Sequence, residues 1–394
     1  MDPDTSTSTN SPHASKRPRT EDKDGTEPVV VLHSPDLWLS DGAIILRTSQ
    51  RVKGSTGVTQ TLYKVHKSTL AMHASFFRDL FDGPQTALET ASEQYEGLPM
   101  MDMPDDAQDV DDFLKALYFP DHIHRHGRHS SGAPFWSTFP GMYRGTLRLA
   151  KKYDAPKIRQ VIVDAVKKEW PTELRYWDKR QSVAQEDKVS ILKSKLKHRV
   201  VYPEPAHTIR LAAEHGIPEV LPTAYYDLAR VYEFNRTTDI HHHNANIRIL
   251  CADELFKLIT GMAALRNHIH KALVHTVNGC PDLDSCSFGQ YSSTDSNSDD
   301  ESEGYSQCTE PLLSWWRKQF EHLVKSGDPL GYLKTAGELV MCDGSLVNLV
   351  SSDAVCVGCR ECVQGLIADK RDKLWKELPN LFNLRDRVDA NWGS

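Results

Sequence analysis

The sequence has no apolar run long enough to cross a membrane. A transmembrane helix needs about 20 apolar residues in succession, and no segment of the 394-residue chain approaches that. No apolar stretch follows the N-terminus, so we find no secretory signal. These absences predict a protein of the nucleus or cytoplasm with no membrane partner. Cysteines are kept reduced there, so we expect the eight cysteines to be thiols or metal ligands.

The chain also lacks a basic excess and the common catalytic motifs. Its net charge of −7 shows none of the excess of basic residues that is typical of proteins that bind nucleic acid. Direct binding of nucleic acid is therefore not predicted. The patterns G-x-x-x-x-G-K-[ST], G-x-G-x-x-G, G-x-S-x-G and H-E-x-x-H are missing. The absence of these motifs does not exclude catalysis but makes it less expected, and the prediction is a protein that is not an enzyme. A metal-dependent enzyme is a remote alternative, because residues 122–129 and 241–243 are rich in histidine, although both segments read as solvated loops.

Composition divides the chain into five segments. Residues 1–28 are rich in Ser, Thr, Pro and charge, which predicts a disordered tail. Residues 281–307 form an acidic, Ser-rich stretch that is also predicted to be disordered. Residues 29–172 mix strand and helix patterns and form the first predicted domain. Residues 173–280 and 308–394 are predicted to be helical, and the last segment contains a Cys-x-x-Cys.

The first domain carries clear local patterns. "DGAIILRTS" and "QTLYKVH" predict a β-hairpin with a long loop, and "LPMMDMP" predicts a further short strand. Residues 65–84 predict two short helices split at Ser75 as an N-cap, with Leu70, Phe76, Phe77, Leu80 and Phe81 buried. An amphipathic helix is predicted where Val110, Phe113, Leu114, Leu117 and Tyr118 recur at helical spacing. "TLRLAKKYDAPKI" and "TIRLAAEHGIPEV" each predict a helical hairpin whose proline starts the second helix.

The late cysteines are the strongest chemical signal. Cys356 and Cys359 have the Cys-x-x-Cys spacing that places two thiolates on one Zn²⁺. A closed tetrahedral site needs two more ligands, for which Cys308 and Cys286 are the first candidates and Cys280 and Cys362 the substitutes. One structural zinc is the predicted cofactor. The alternative is that these cysteines are simply buried or unligated, because the second pair lacks the tight spacing.

Together, "DGAIILRT", "TLYKVHKSTLAMHASFFRDLF", "LPMMDMPDDAQDVDDFLKALY" and "TLRLAKKYDAPKIRQVIVDAVKKEW" resemble a BTB/POZ domain over about residues 29–170. The whole chain resembles the BTB proteins that are expanded in mushroom-forming fungi. "LPTAYYDLA", the late Cys-x-x-Cys and "ELPNLFNL" carry that wider resemblance. The resemblance implies an α+β class: a small, mainly three-stranded sheet flanked by α-helical hairpins, followed by a mostly α-helical C-terminal domain.

The resemblance also implies what the residues do. BTB domains are protein–protein interaction modules and imply no catalytic residues. His66 would be the structural histidine of the family, held by Asp36 or Asp41, with the core formed by Leu70, Phe77, Leu80 and Leu114. Residues 29–35 predict only a weak N-terminal helix because "VVVLHSP" ends in proline, so homodimerisation is less secure than in many animal relatives.

Two functions are consistent with these observations. The protein associates with itself or a partner as a substrate adaptor for a cullin-type ubiquitin ligase, or it is a nuclear scaffold or transcriptional cofactor. The basic run "KRPR" at residues 16–19 would support the second hypothesis.

Overall fold

The structure is a computed structural model that describes most of the chain. The described residues are 29–51, 57–83, 93–119, 122–125, 140–193, 204–234, 247–274, 276–279, 286, 308–342 and 355–394. The two segments predicted to be disordered, 1–28 and 281–307, lie outside these ranges except for Cys286. The histidines of 126–129 and 241–243 also lie outside them.

The described part of the chain is α+β, as predicted, with one mixed sheet and a mostly helical remainder. The strands are β1 (Val29–Trp38), β2 (Ile44–Arg51), β3 (Val58–Val65), β4 (Gln94–Tyr95) and β5 (Leu98–Asp102). The helices are α1 (Lys67–His73), α2 (Ser75–Asp82), α3 (Ala107–Tyr118), α4 (His122–Arg125), α5 (Arg144–Lys152), α6 (Pro156–Glu169), α7 (Leu174–Lys193), α8 (Pro205–His215), α9 (Leu221–Phe234), α10 (Ala252–Leu273), α11 (Thr309–Lys325), α12 (Pro329–Leu339) and α13 (Val357–Leu381). Short 3₁₀ turns lie at Gly141–Tyr143, Pro218–Val220, Ile247–Ile249 and Val277–Gly279. None of the helices described is long and apolar enough to cross a bilayer.

The sheet has the order β1-β3-β2-β5-β4. The predicted β2–β3 hairpin is antiparallel, β5 lies parallel to β2, and β1 lies parallel to β3. Although β1 and β4 are its opposite edges, His33 and Trp38 of β1 contact Tyr95 of β4 through their rings. The sheet is therefore curled until its two edges approach each other. The predicted number of three strands was too low, since β1 and β4 join the expected β2, β3 and β5.

Strand β1 corrects the prediction of a weak N-terminal helix over residues 29–35. Three consecutive β-branched valines favour an extended chain, and residues Val29 to His33 pair in register with Val58 to Leu62 of β3. Pro35 lies where the register shifts, between His33 and Trp38. A proline is tolerated at such an irregularity of an edge strand, because no ladder hydrogen bond is needed from its nitrogen.

The two short helices after β3 form as predicted, but Ser75 is not the N-cap. Ala74 holds the extended N-cap position, and Ser75 is the first residue of α2. The backbone N–H of Ser75 donates to the carbonyl oxygen of Asp154 at 3.0 Å, and its hydroxyl donates to the Asp154 carboxylate. The start of α2 is thus held by the turn between α5 and α6. That contact is tertiary and replaces a local cap.

Local signals correctly predicted the amphipathic helix and the two helical hairpins. Asp106 caps α3 by accepting hydrogen bonds from the N–H groups of Gln108 and Asp109. Pro156 is the first residue of α6, and Pro218 starts the 3₁₀ turn that leads into α9. The left-handed residue Gly216 (φ 64°) ends α8, a conformation that costs glycine little.

One hydrophobic core runs through the sheet, the hairpins and the C-terminal helices. Its buried members extend from Leu37 in strand β1 to Trp392 near the C-terminus. The last long helix packs back on the middle of the chain: the indole N–H of Trp375 donates to the carbonyl oxygen of Thr172 at 2.8 Å. Trp392 donates in the same way to Glu219 at 2.7 Å. The segments on either side of residue 172 therefore share a core.

Candidate metal centre

Four cysteines from separate parts of the sequence meet at one point. Cys308 is the N-cap residue of α11, Cys356 is the N-cap residue of α13, and Cys359 lies in the first turn of α13. Cys286 joins them from the segment before α11. These are the four residues first named from the sequence, and four such thiols can bind a metal. Among the residues that the structure describes, this is the only group of three or more His, Cys, Asp or Glu side chains that could hold an ion.

The sulfur atoms of the four cysteines lie close together. The Sγ atom of Cys286 lies 3.7 Å from those of both Cys308 and Cys356. All four sulfurs lie within 4.8 Å of one another. Four sulfurs at about 2.3 Å from a central Zn²⁺ would lie about 3.8 Å apart. Two of the sulfur–sulfur distances are therefore close to that spacing, and all four thiols are near enough to one another to share one ion.

Two helix N-termini point their partial positive charge at the cluster. Helices α11 and α13 begin at Cys308 and Cys356, which are both candidate ligands. The N-terminus of a helix favours a nearby negative charge. The backbone N–H of Cys356 donates to the Sγ atom of Cys308 at 3.3 Å. The backbone N–H of Cys359 donates to Sγ of Cys356 at 3.4 Å. These contacts orient the sulfurs and would offset part of the charge of bound thiolates.

The cluster is only partly accessible. Cys308 and Cys359 are buried, whereas Cys286 and Cys356 are half-buried. Burial raises the pKa of the Cys359 thiol, and the neighbouring thiols of Cys356, Cys286 and Cys308 raise it further. Four crowded thiols resist ionisation together unless a cation compensates their charge. The donor set, all sulfur and closed on itself, fits a structural ion with no open position.

The remaining cysteines fall outside this group. Cys280, a substitute ligand, lies outside the described residues. Cys362, the other substitute, is disulfide-bonded, so the prediction that every cysteine would be reduced is wrong at this position. Cys362 lies on α13 after Cys359 but is not a member of the four-sulfur cluster. Cys251 and Cys342 are exposed thiols elsewhere on the surface.

His66 contacts one of its two expected acidic partners. Its Nε2 atom lies 3.0 Å from the carboxylate of Asp41, and its backbone N–H donates to the hydroxyl of Tyr118 at 2.7 Å. Asp36, the other candidate partner, instead forms an ion pair with Lys115 of α3 at 2.9 Å. His66 therefore links the β1–β2 connection to α3.

The expected core residues beside His66 are buried to different degrees. Leu70, Phe77 and Leu114 are fully buried as predicted, whereas Leu80 and Phe81 are only half-buried against the same core. Phe76 departs furthest from the prediction, since it is 44% exposed. Phe76 and Phe77 are neighbours on a helix and face directions about 100° apart, so α2 can bury only one of them fully.

The Asp41–His66 pair predicts a stability that falls in acid. The hydrogen bond from His66 lowers the pKa of Asp41. A carboxylate whose pKa is lower in the folded than in the unfolded protein stabilises the fold above about pH 4, and that contribution is lost as the pH falls through the lowered pKa. We expect Asp41→Asn to lower the melting temperature at neutral pH. The two proteins should then converge near about pH 2, where Asp41 is also neutral; a constant difference at every pH would contradict the role of this pair.

A second polar cluster was not predicted from the sequence. The buried carboxylate of Asp227 accepts hydrogen bonds from the indole of Trp170 at 3.1 Å and from the guanidinium groups of Arg180 at 3.2 Å and Arg230 at 2.9 Å. Arg230 continues to Asp328 at 3.1 Å. The members lie on or beside α6, α7, α9 and α12, and among them helical spacing relates Asp227 and Arg230, as residues i and i+3 of α9. Burial lowers the pKa of Arg230, but its two carboxylates outweigh burial and raise it.

Comparison of the chain with protein-family models, with curated proteins and with solved structures finds no match.

Proposed function

We propose that this chain is a protein-interaction protein of the BTB/POZ type whose C-terminal helices are held by a structural zinc ion. The order of elements around the sheet supports the first part. A hairpin is followed by the paired helices α1 and α2, the strand β5 returns parallel to β2, and α3 and the α5–α6 hairpin complete the unit. A small sheet flanked by helical hairpins is what the resemblance implies for a BTB domain. The Asp41–His66 pair and the buried Phe77 are consistent with it.

The exposed edge strand β1 is the observation that carries an interaction function. Val29, Val30, Val31 and Leu32 are 44–54% exposed, and among the strands that the structure describes β1 pairs only with β3. An edge strand presents backbone donors and acceptors to any chain that adds to it, and soluble proteins usually protect such edges with charge or proline. Residues 29–32 contain neither. Exposed apolar side chains in succession mark an interaction surface.

A second copy of this chain is the partner that best fits β1. An antiparallel pair of β1 strands would be symmetric about a two-fold axis. The apolar side chains of residues 29–32 in one copy would then lie beside those of the other copy as cross-strand neighbours. No charge in this run opposes such self-pairing. The proposed association is thus a homodimer formed by extension of the sheet across two chains.

Charge placed on β1 should abolish self-association. We expect the full chain to run as a dimer in size-exclusion chromatography with light scattering, and Leu32→Lys to run as a monomer. The lysines of the two copies would repel each other, and dimerisation would remove their charges from water. The matched control is Met72→Lys, which introduces the same charge at a residue of α1 that is 61% exposed. A wild-type chain that stays monomeric over a wide concentration range would rule out this dimer.

Two more specific functions are proposed from the resemblance. As a cullin-type ubiquitin ligase adaptor, the protein would co-elute with the purified N-terminal domain of a cullin. As a nuclear scaffold or transcriptional cofactor, it would be retained in the nucleus, and replacement of Lys16–Arg19 by alanine would release it. We favour the adaptor, and co-elution with a cullin that survives Leu32→Lys would separate that function from dimerisation.

The proposed zinc would be held by Cys286, Cys308, Cys356 and Cys359. Zinc fits because its structural sites are tetrahedral and commonly all-cysteine, and because the 3.7 Å from the Cys286 sulfur to those of Cys308 and Cys356 is close to that geometry. The ion would supply the positive charge that allows the four thiols to ionise. The chain's own contribution is to join the starts of α11 and α13 to the Cys286 segment, so the role is folding and not catalysis.

Elemental analysis tests this proposal directly. We expect the full chain, purified without added metal or chelator, to contain about one zinc per molecule. A folded protein without bound metal would contradict it. A second metal in equal amount would mean that the cluster is not selective for zinc.

A further inference from the structure

The two accessible thiols of the cluster are also neighbours. Cys286 and Cys356 are half-buried, whereas Cys308 and Cys359 are buried. The Sγ atoms of the accessible pair lie 3.7 Å apart. A disulfide bond is about 2.05 Å long, so these sulfurs need to approach by less than 2 Å to form one. A small oxidant can reach this pair before it reaches the other two.

We propose that the cluster is an oxidation-sensitive site at which a hydroperoxide joins Cys286 to Cys356 and expels the zinc. This inference rests on the zinc proposed above. It adds regulation to a site that otherwise only holds the fold. Zinc-bound sulfurs are thiolates, which are the nucleophilic form of cysteine. Because Cys286 and Cys356 are only half-buried, a peroxide can reach their sulfurs and be attacked by them.

The reaction balances with hydrogen peroxide as the oxidant. One thiolate attacks a peroxide oxygen, the O–O bond breaks, and the sulfur becomes a sulfenic acid while the other oxygen leaves as water after protonation. The second thiolate then attacks the sulfenic sulfur, the S–S bond forms, and the sulfenic oxygen leaves as a second water. Two thiolates lose two electrons, and one peroxide takes up those electrons and two protons. Cys308 and Cys359 remain as two ligands, which is too few for a closed tetrahedral zinc site.

Loss of the ion would loosen α11. Cys308 is the N-cap residue of this helix, and its sulfur accepts the backbone N–H of Cys356 at 3.3 Å. The helix carries the buried Trp315 and Trp316, and the indole of Trp316 donates to the carbonyl oxygen of Leu273 at 3.0 Å. Tryptophan fluorescence therefore reports on the state of α11 independently of the metal.

The test uses the reduced, zinc-loaded full chain titrated with hydrogen peroxide. Released zinc is followed with a chromogenic chelator, and disulfides are mapped by mass spectrometry without reduction. We expect one zinc to leave for each Cys286–Cys356 disulfide formed, with a change in tryptophan fluorescence, and a thiol reductant with added zinc to reverse all three signals. Cys342→Ser, which removes an exposed cysteine outside the cluster, should behave as the wild type.

Cys286→His separates metal binding from oxidation. Histidine can replace cysteine as a zinc ligand but cannot form a disulfide, so this variant should hold zinc and keep it under peroxide. Retention of zinc by the wild type under peroxide would overturn the inference, as would a mapped disulfide that contains Cys308 in place of Cys356. A wild-type chain that binds no zinc before oxidation would instead refute the proposed zinc site, and the inference with it.

Discussion

Cys359→Ser is expected to abolish zinc binding and to cost about 4 kcal/mol or more of the free energy of unfolding, the range in which loss of a metal site falls. Cys359 is buried and lies within 4.8 Å of the three other sulfurs. Serine is a poor zinc ligand, and three thiolates do not close a tetrahedral site. Since folded domains are stable by only about 5–15 kcal/mol, partial loss of helical signal in the C-terminal segment is expected.

Zinc buffering gives a sharper measurement than the mutant alone. If the folded chain binds one zinc and the unfolded chain binds none, the free energy of unfolding rises by about 1.4 kcal/mol for each tenfold increase in free zinc above the dissociation constant. We expect this slope in urea melts of the wild type and a slope of zero in Cys359→Ser. Cys342→Ser is the matched control, because it makes the same substitution at an exposed cysteine. A wild-type stability that is independent of free zinc would contradict a structural role for the ion.

Asp227→Ala is expected to lower the free energy of unfolding by about 3–5 kcal/mol, because it removes the buried carboxylate that Arg180 and Arg230 share. Arg180 would keep its ion pair with Glu169, and Arg230 its ion pair with Asp328. Asp227 is only 3% exposed and accepts hydrogen bonds from Trp170, Arg180 and Arg230. The two guanidinium groups lie over the ring of Trp177, at 4.9 and 4.8 Å from its centroid. Removal of the carboxylate thus disturbs the contact between α6, α7 and α9 at one point.

Two variants calibrate the effect of Asp227→Ala in urea melts. Asp369→Ala removes an exposed carboxylate that pairs with Lys373 on the surface of α13, and we expect it to cost less than about 1 kcal/mol. Asp227→Asn keeps an oxygen acceptor but loses the charge, so its cost should lie between those of the two alanine variants. An Asp227→Ala protein as stable as Asp369→Ala would mean that the buried cluster contributes nothing to the fold.

The part of the candidate site that could be predicted from the sequence was the part with local spacing. Cys356 and Cys359 are recognisable as a pair because a Cys-x-x-Cys brings two sulfurs to one ion whatever the rest of the fold does. Cys286 and Cys308 could only be named as candidates, since nothing in their spacing to α13 determines a distance. The same limit applies to the partner of His66. The sequence could not decide whether Asp36 or Asp41 contacts its ring, because both lie far from His66 along the chain.

By itself the sequence determined the elements whose signals are local: the β2–β3 hairpin, the amphipathic helix α3, and the helix that starts at Pro156. Tertiary structure alone decided that residues 29–35 form an edge strand, that Ser75 bonds to Asp154, and that Asp227 is surrounded by Trp170 and two arginines. It also decided which four cysteines converge. The physical reason is the same in each case. Local propensity acts between residues a few positions apart, whereas strand pairing, buried ion clusters and metal sites take their energy from groups that only the packed fold brings together.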